Sequence, residues 1–159
     1  MPNSRPLPRL TLALGLVALS PAVWATDPTI EVAKTPTCGC CTAWIEHLEA
    51  SGFEVTAHDV SHRQLNIIKV DLDIAPGQAS CHTAMVDGYF IEGHVHAREI
   101  RSLLASQPEA EGLTVPGMPV GSPGMEMGER RDAYATLLVH DDGSTRTYRK
   151  HPAAGDQAE

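Results

Sequence analysis

The chain has 159 residues, a formal net charge of −8 and only 4% aromatic residues. An acidic chain repels phosphate-rich partners, and so few aromatic side chains leave little surface on which bases could stack. These features exclude nucleic-acid binding. The length suits a single domain.

The N-terminus has the pattern of a secretory signal peptide. Basic residues precede an apolar run at 10–19, and small residues follow at 23–25. The run is too short to cross a bilayer, so we expect no membrane span once the leader is removed. Residues 1–25 are therefore predicted to be a signal peptide that directs the protein to the periplasm. Residues 26–159 are predicted to form one domain.

The remaining chain predicts alternating strands and helices. Hydrophobic periodicity, the N-cap Ser61, the turn pair Asp87-Gly88 and the stop at Gly52 mark most of the boundaries. In chain order we predict a strand at 29–34, a helix at 40–51, a strand at 53–60, a helix after Ser61, a hairpin around Asp87-Gly88, a helix at 97–106, and a terminal hairpin of 133–140 with 144–150. The order β-α-β-α-β-β-α predicts an α/β fold, namely a thioredoxin-like domain with a C-terminal β-hairpin.

A segment rich in proline and glycine at 108–131 separates the last helix from that hairpin. Its central part, 115–128, is too rich in glycine and proline for a regular helix or strand, but it carries Met118, Met125 and Met127. Disordered linkers more often use serine and charged residues. We therefore predict an ordered loop laid over the domain, with Met118 as a candidate thioether ligand.

Three cysteines crowd the turn between the first strand and the first helix, in the sequence Cys38-Gly-Cys-Cys41. A helix N-terminus favours thiolate over thiol, and thiolate binds metal or attacks a disulfide. Two structural disulfides fit poorly because Cys40 and Cys41 are adjacent. A thiol–disulfide oxidoreductase remains an alternative, since Cys38 and Cys41 form a CxxC pair. Such enzymes usually have a proline at the position that Cys81 takes here.

Cys81 is expected to face the other three thiols and so to complete a site for a soft metal. Thiolate and thioether donors select Cu(I), whereas zinc is the main competitor for a site of four cysteines. Adjacent thiolates can bridge more than one Cu(I) ion per chain. His82 is the preferred histidine because it adjoins Cys81; His94 and His96 would share one face if their segment were extended. The predicted metal ligands are Cys38, Cys40, Cys41, Cys81, Met118 and His82.

The sequence resembles the CopG-like copper-binding proteins of bacterial copper-resistance systems. The resemblance is carried, in order, by residues 36–41 with Trp44, His47 and Leu48, and by 80–84, 88–89, 91–95, 115–119 and 121–126. It implies a periplasmic thioredoxin-like protein that binds copper through Cys38, Cys40, Cys41 and Cys81. The family pattern usually has proline where this chain has His96, so His96 is not expected to be a family ligand.

The sequence thus predicts an exported protein of copper resistance that sequesters copper, transfers it or changes its redox state. Its expected partners are copper ions and other periplasmic copper-handling proteins, and no catalytic residue is assigned. Two alternatives remain open: a thioredoxin-like thiol–disulfide oxidoreductase, and a zinc-binding structural module.

Overall fold

A computed structural model describes residues 28–156. The predicted signal peptide lies outside these residues. Within them the chain is mixed α/β, with a seven-stranded sheet in the order β2-β1-β3-β4-β5-β6-β7 and three helices. The elements are β1 (Ile30–Lys34), α1 (Gly39–Ala50), β2 (Val55–Asp59), α2 (His62–Asp71), β3 (Thr83–Val86), β4 (Tyr89–Glu92), α3 (Ala97–Ser106), β5 (Gly112–Thr114), β6 (Tyr134–Val139) and β7 (Thr145–His151).

The first seven elements follow the predicted order. β1 pairs with β2 in parallel and with β3 antiparallel, and β3 and β4 form the predicted hairpin. Asp87 and Gly88 both have positive φ, as a two-residue hairpin turn requires. The C-terminal hairpin of β6 and β7 is also confirmed. The described part of the chain contains no helix that is long and apolar enough to cross a membrane.

The main core lies between the sheet and helices α1 and α3. The predicted inner face of α1 is buried at Cys41, Trp44, Ile45 and Leu48, and α3 buries Ile100 and Leu103. The indole Nε1 of Trp44 donates a hydrogen bond to the carbonyl of Val95, 2.8 Å away. This contact ties the helix that follows the cysteine turn to the segment that leads into α3.

Helix α2 covers the sheet through a polar contact that the sequence did not predict. Ser61 caps the helix with Gln64 in a capping box, as expected from its N-cap position. Leu65 is buried, but so is Lys69, whose Nζ forms an ion pair with the fully buried carboxylate of Glu92. The same carboxylate accepts a hydrogen bond from the backbone N–H of Ser80. Helix α2 and strand β4 thereby fix the residue that precedes Cys81.

The segment predicted as loop begins with a short strand. β5 pairs in parallel with β4 and antiparallel with β6. Its strand conformation therefore depends on hydrogen bonds to strands that are distant in sequence. Gly112 is needed there, since a Cβ atom at this position would lie 2.0 Å from the carbonyl oxygen of Phe90. The remainder of the segment is a loop. It packs on α1, where a Cβ at Gly124 would lie 2.7 Å from the carbonyl oxygen of Cys40.

Candidate metal centre

The four cysteine sulfurs meet at the N-terminus of α1. Cys81 Sγ lies 3.5 Å from Cys41 Sγ and 3.8 Å from Cys40 Sγ, and Cys38 Sγ lies 3.6 Å from Cys40 Sγ. All four sulfurs are within 4.8 Å of one another. The expectation that Cys81 faces the other three thiols is thus confirmed as a matter of geometry.

Two of these cysteines are oxidised. A disulfide joins Cys38 and Cys41, whose Cα atoms are 5.3 Å apart, whereas Cys40 and Cys81 are free thiols. The bonded pair is the CxxC pair at the first helical turn. A site that uses all four sulfurs therefore requires this disulfide to be reduced, because a metal is bound by thiolates.

The two free thiols lie in a partly buried environment. Burial, followed by the neighbouring Cys40, raises the pKa of the Cys81 thiol to about 12. Cys81 precedes β3 and is not part of the helix whose N-terminus favours thiolates in the cysteine turn. At neutral pH its proton is retained unless a cation displaces it.

His94 approaches the sulfur cluster more closely than the preferred histidine does. Its Nε2 atom lies 3.2 Å from Cys81 Sγ, and its Nδ1 donates a hydrogen bond to the carbonyl oxygen of Pro123 at 2.8 Å. Burial lowers the pKa of His94, so its ring is neutral at pH 7. With the proton on Nδ1, the lone pair of Nε2 points to Cys81. Metal-binding histidines are commonly oriented in this way by a backbone carbonyl.

His82 also belongs to the cluster. Its Nδ1 lies 3.4 Å from Cys81 Sγ, and its ring lies 4.3 Å from the Trp44 ring and 5.0 Å from the His94 ring. Burial is the main cause that lowers the pKa of His82 well below its usual value, and the neighbouring His94 and Lys69 lower it further. The ring is therefore neutral, and its Nε2 has no hydrogen-bond partner among the described residues. Cys81, His82 and His94 form a second group with metal-binding geometry.

His94 and His96 do not share a face as they would in an extended segment. Strand β4 ends at Glu92, and Gly93 then adopts a φ of 72°, which bends the chain. A Cβ atom at Gly93 would lie 2.5 Å from the side chain of Ser80. As a result, His94 turns to the sulfurs while His96 contacts Tyr134. Sequence reasoning underrated His94 because this bend depends on the approach of a distant segment.

The loop that carries Met118 is fastened beside Cys81. The backbone N–H of Gly117 donates to the carbonyl of Ala79 at 3.0 Å, and the hydroxyl of Ser80 donates to the carbonyl of Gly117. The Met118 side chain is 53% exposed. The role of Met118 as a ligand stays a prediction.

Fold and site together define a small α/β protein with a candidate metal centre built from thiols and neutral imidazoles. A family model described as "Protein of unknown function, DUF411" matches residues 78–125. A solved structure titled "Copper resistance protein copG- Form 2" is 42% identical, with a TM-score of 0.75, over 79% of this chain and 99% of that chain. The form 1 structure is 43% identical, with the same TM-score, over 79% of this chain and 98% of that chain. The search of curated proteins gave no match.

The chain therefore belongs to the CopG family of copper resistance proteins. The DUF411 match covers Cys81, His82, His94 and Met118 but not the cysteine turn of α1. The two solved structures extend the similarity over most of the described fold.

Proposed function

We propose that this protein binds Cu(I) through Cys38, Cys40, Cys41 and Cys81, and that it sequesters or transfers copper in an exported compartment. The observation that carries the proposal is the convergence of the four sulfurs within 4.8 Å, with His94 Nε2 3.2 Å from Cys81 Sγ. The titles of the two similar structures, both copper resistance proteins, support the choice of metal.

The donor set favours copper over zinc. Sulfur is a soft donor, and adjacent thiolates such as those of Cys40 and Cys41 can bridge several Cu(I) ions. Zinc prefers one tetrahedral set of ligands, which three cysteines in a single four-residue turn supply awkwardly. His82 and His94 add neutral nitrogens, and Met118 is the candidate thioether. We propose more than one copper ion per chain.

Oxidation controls access to this site. Breaking the Cys38–Cys41 bond takes two electrons and two protons from an external reductant and yields two thiols. Cu(I) then displaces the thiol protons, because thiolate is the metal-binding form. The oxidised chain retains Cys40, Cys81 and the two histidines as donors, so it should bind less copper.

A titration with Cu(I) under anaerobic conditions tests the proposal. The reduced protein should develop ultraviolet absorption from thiolate-to-copper charge transfer, with an endpoint above one ion per chain. Protein with the Cys38–Cys41 disulfide intact is the matched control and should reach a lower endpoint. Identical endpoints for the two forms would contradict a site that uses all four sulfurs.

The disulfide itself favours a second candidate function, thiol–disulfide exchange. Cys38 and Cys41 are paired at a helix N-terminus, the position in which a CxxC pair exchanges disulfides. Against this, the free Cys40 lies beside Cys38 and would compete as the resolving thiol. Catalysis of insulin reduction that persists in Cys81→Ser would favour this candidate. Its absence would favour metal binding without enzymatic activity.

We also propose a thioredoxin-like core at 30–106. The sheet order β2-β1-β3-β4, with a parallel first pair and an antiparallel hairpin, supports it. Cys81 lies two residues before β3, and no cis peptide bond occurs in the described residues. Export to the periplasm, cleavage after residue 25 and transfer to other copper-handling proteins there belong to the same proposal. Sequencing the N-terminus of the secreted protein tests the cleavage.

A further inference from the structure

A cavity of about 280 Å³ lies between the N-terminus of α3, the Pro/Gly-rich loop and strand β7. Positive side chains dominate its lining, and no lining residue is acidic. We refer to it as the basic cavity; its lining consists of His96, Arg98, Gly121, Arg131, Tyr134, Arg149, Lys150, His151 and Pro152. Four of the 12 Lys and Arg residues of an acidic chain contribute to this lining. None of the lining residues is a donor of the candidate metal centre.

Glu99 compensates only part of this charge. Its buried carboxylate accepts a hydrogen bond from Thr136 and lies 3.4 Å from Arg149 Nε and 3.2 Å from His151 Nε2. Arg98 Nε is more distant, at 4.0 Å. One carboxylate thus faces several cations. Because this carboxylate is already paired with Arg149 and bonded to Thr136, it does not neutralise the remaining cations of the cavity.

Arg131 is left without an acidic partner among the described residues. No carboxylate there forms an ion pair with its side chain, whereas the adjacent Arg130 pairs with Asp132. Arg131 is placed at the cavity by packing, because its Cγ would lie 2.8 Å from a Cβ at Gly121. Lys150 stands between Arg149 and His151 in β7, so its side chain points to the other face of the sheet. Together with Arg98 and Arg149, the uncompensated Arg131 creates a positive potential in the cavity.

The aromatic part of the lining adds no negative charge. The His151 ring stacks on Tyr134 at 4.2 Å and on His96 at 4.7 Å. Burial, followed by the nearby Glu99, raises the pKa of Tyr134 to about 12, so its phenol is neutral at physiological pH. The N-terminal end of the α3 dipole, where Arg98 lies, adds to the positive potential.

We propose that the basic cavity binds a small multivalent oxyanion, held by the guanidinium groups of Arg98, Arg131 and Arg149. Guanidinium and ammonium groups form charge-assisted hydrogen bonds with phosphate and carboxylate oxygens, and arginine suits planar or forked acceptors. The volume admits an anion of phosphate or small polycarboxylate size together with water. Its enclosure by a loop and a helix end favours a small ligand over an extended polymer.

Calorimetric titration of the full chain tests this proposal. Inorganic phosphate, sulfate and citrate are titrated separately, with chloride holding the ionic strength constant. We expect saturable binding of at least one of them at one site per chain. Arg131→Gln and Arg98→Gln should each weaken it about tenfold. Arg146→Gln removes the same charge from strand β7 outside the cavity and should change the affinity by less than about twofold.

The three anions distinguish the source of the ligand: binding of phosphate or sulfate identifies a tetrahedral oxyanion, and binding of citrate alone identifies a carboxylate. The proposal is overturned if the wild type binds none of them saturably. It is also overturned if Arg146→Gln weakens binding as much as the two cavity variants, since the effect then reflects net charge. Cu(I) loading of the same variants should equal that of the wild type, so this test is independent of the copper proposal.

Discussion

The Nε2 atom of His94 lies 3.2 Å from the sulfur of Cys81, and its Nδ1–H donates a hydrogen bond to the carbonyl oxygen of Pro123. The Pro/Gly-rich loop thereby sets the tautomer of a histidine that faces the sulfur cluster. The loop therefore orients this imidazole and also packs against the first turn of α1.

Replacing His94 tests that relationship. His94→Gln removes the imidazole nitrogen. It should weaken Cu(I) binding about 10- to 100-fold, which is the usual cost of replacing a side chain that surrounds a bound metal. Affinity is measured by competition with a Cu(I)-specific chelator. His140→Gln, at the distant β6–β7 turn, is the control and should bind like the wild type. Equal affinities in all three proteins would show that His94 is not a donor.

Cys81→Ser should lower both the copper stoichiometry and the affinity of the reduced protein. Cys81 Sγ is within 3.8 Å of the sulfurs of Cys40 and Cys41, so its loss removes the donor that joins the helix to β3. The Cys38–Cys41 disulfide of the oxidised protein should form as before, which thiol counting with and without reductant can verify. Unchanged copper stoichiometry in Cys81→Ser would remove this residue from the site.

Met118 should contribute most to Cu(I) affinity at acidic pH. A thioether binds Cu(I) without losing a proton, whereas protons compete with copper for thiols increasingly as pH falls. Met118→Ala should therefore lower copper affinity, with a larger loss below about pH 6. Met118→Leu keeps the apolar bulk without the sulfur and should show the same loss. If leucine instead restores binding, Met118 only packs against the loop.

Breaking the buried ion pair between Lys69 and Glu92 should destabilise the fold far more than breaking the exposed pair between Arg130 and Asp132. Glu92→Gln leaves an ammonium group buried without its carboxylate and should lower the free energy of unfolding by about 3–5 kcal/mol. Arg130→Gln disrupts a pair that is exposed on both sides and should cost less than about 1 kcal/mol. Denaturant unfolding of the metal-free protein measures both. Similar losses in the two variants would contradict this difference.

Glu99 should make stability depend on pH. Burial raises the pKa of its carboxyl group, but the contact with His151 Nε2 and the hydrogen bond from Thr136 outweigh burial, and the net pKa lies below the usual 4.5. The stabilisation is therefore complete above pH 4.5 and is lost as pH falls through the lower folded-state pKa. The wild type should lose stability in this acid range more steeply than Glu99→Gln does. Parallel curves of stability against pH for the two proteins would contradict the lowered pKa of Glu99. Glu46→Gln, on the surface of α1, is the control and should follow the wild-type curve.

Local patterns sufficed to predict much of this fold. The apolar spacing of α1, the capping box at Ser61 and the Asp87-Gly88 turn each act within a few residues, so the sequence carries them directly. The position of Cys81 could also be anticipated, because the order of elements brings the start of β3 to the N-terminus of α1.

Features that depend on distant contacts were missed. Strand β5 is only three residues long and exists through its pairing with β4 and β6. Lys69 lies four residues after Leu65, on the inner face of α2, and its charged group is buried there because Glu92 pairs with it. His94 faces Cys81 because Gly93 bends the chain against Ser80. His151 carried no local signal either, and it is buried against Glu99 on another element.

Metal analysis of protein purified anaerobically from copper-fed cells tests the central claim most directly. Copper should be the bound metal, at more than one ion per chain, and added zinc should not displace it. A protein that carries only zinc, at one ion per chain, and retains it against a challenge with Cu(I) would contradict the account.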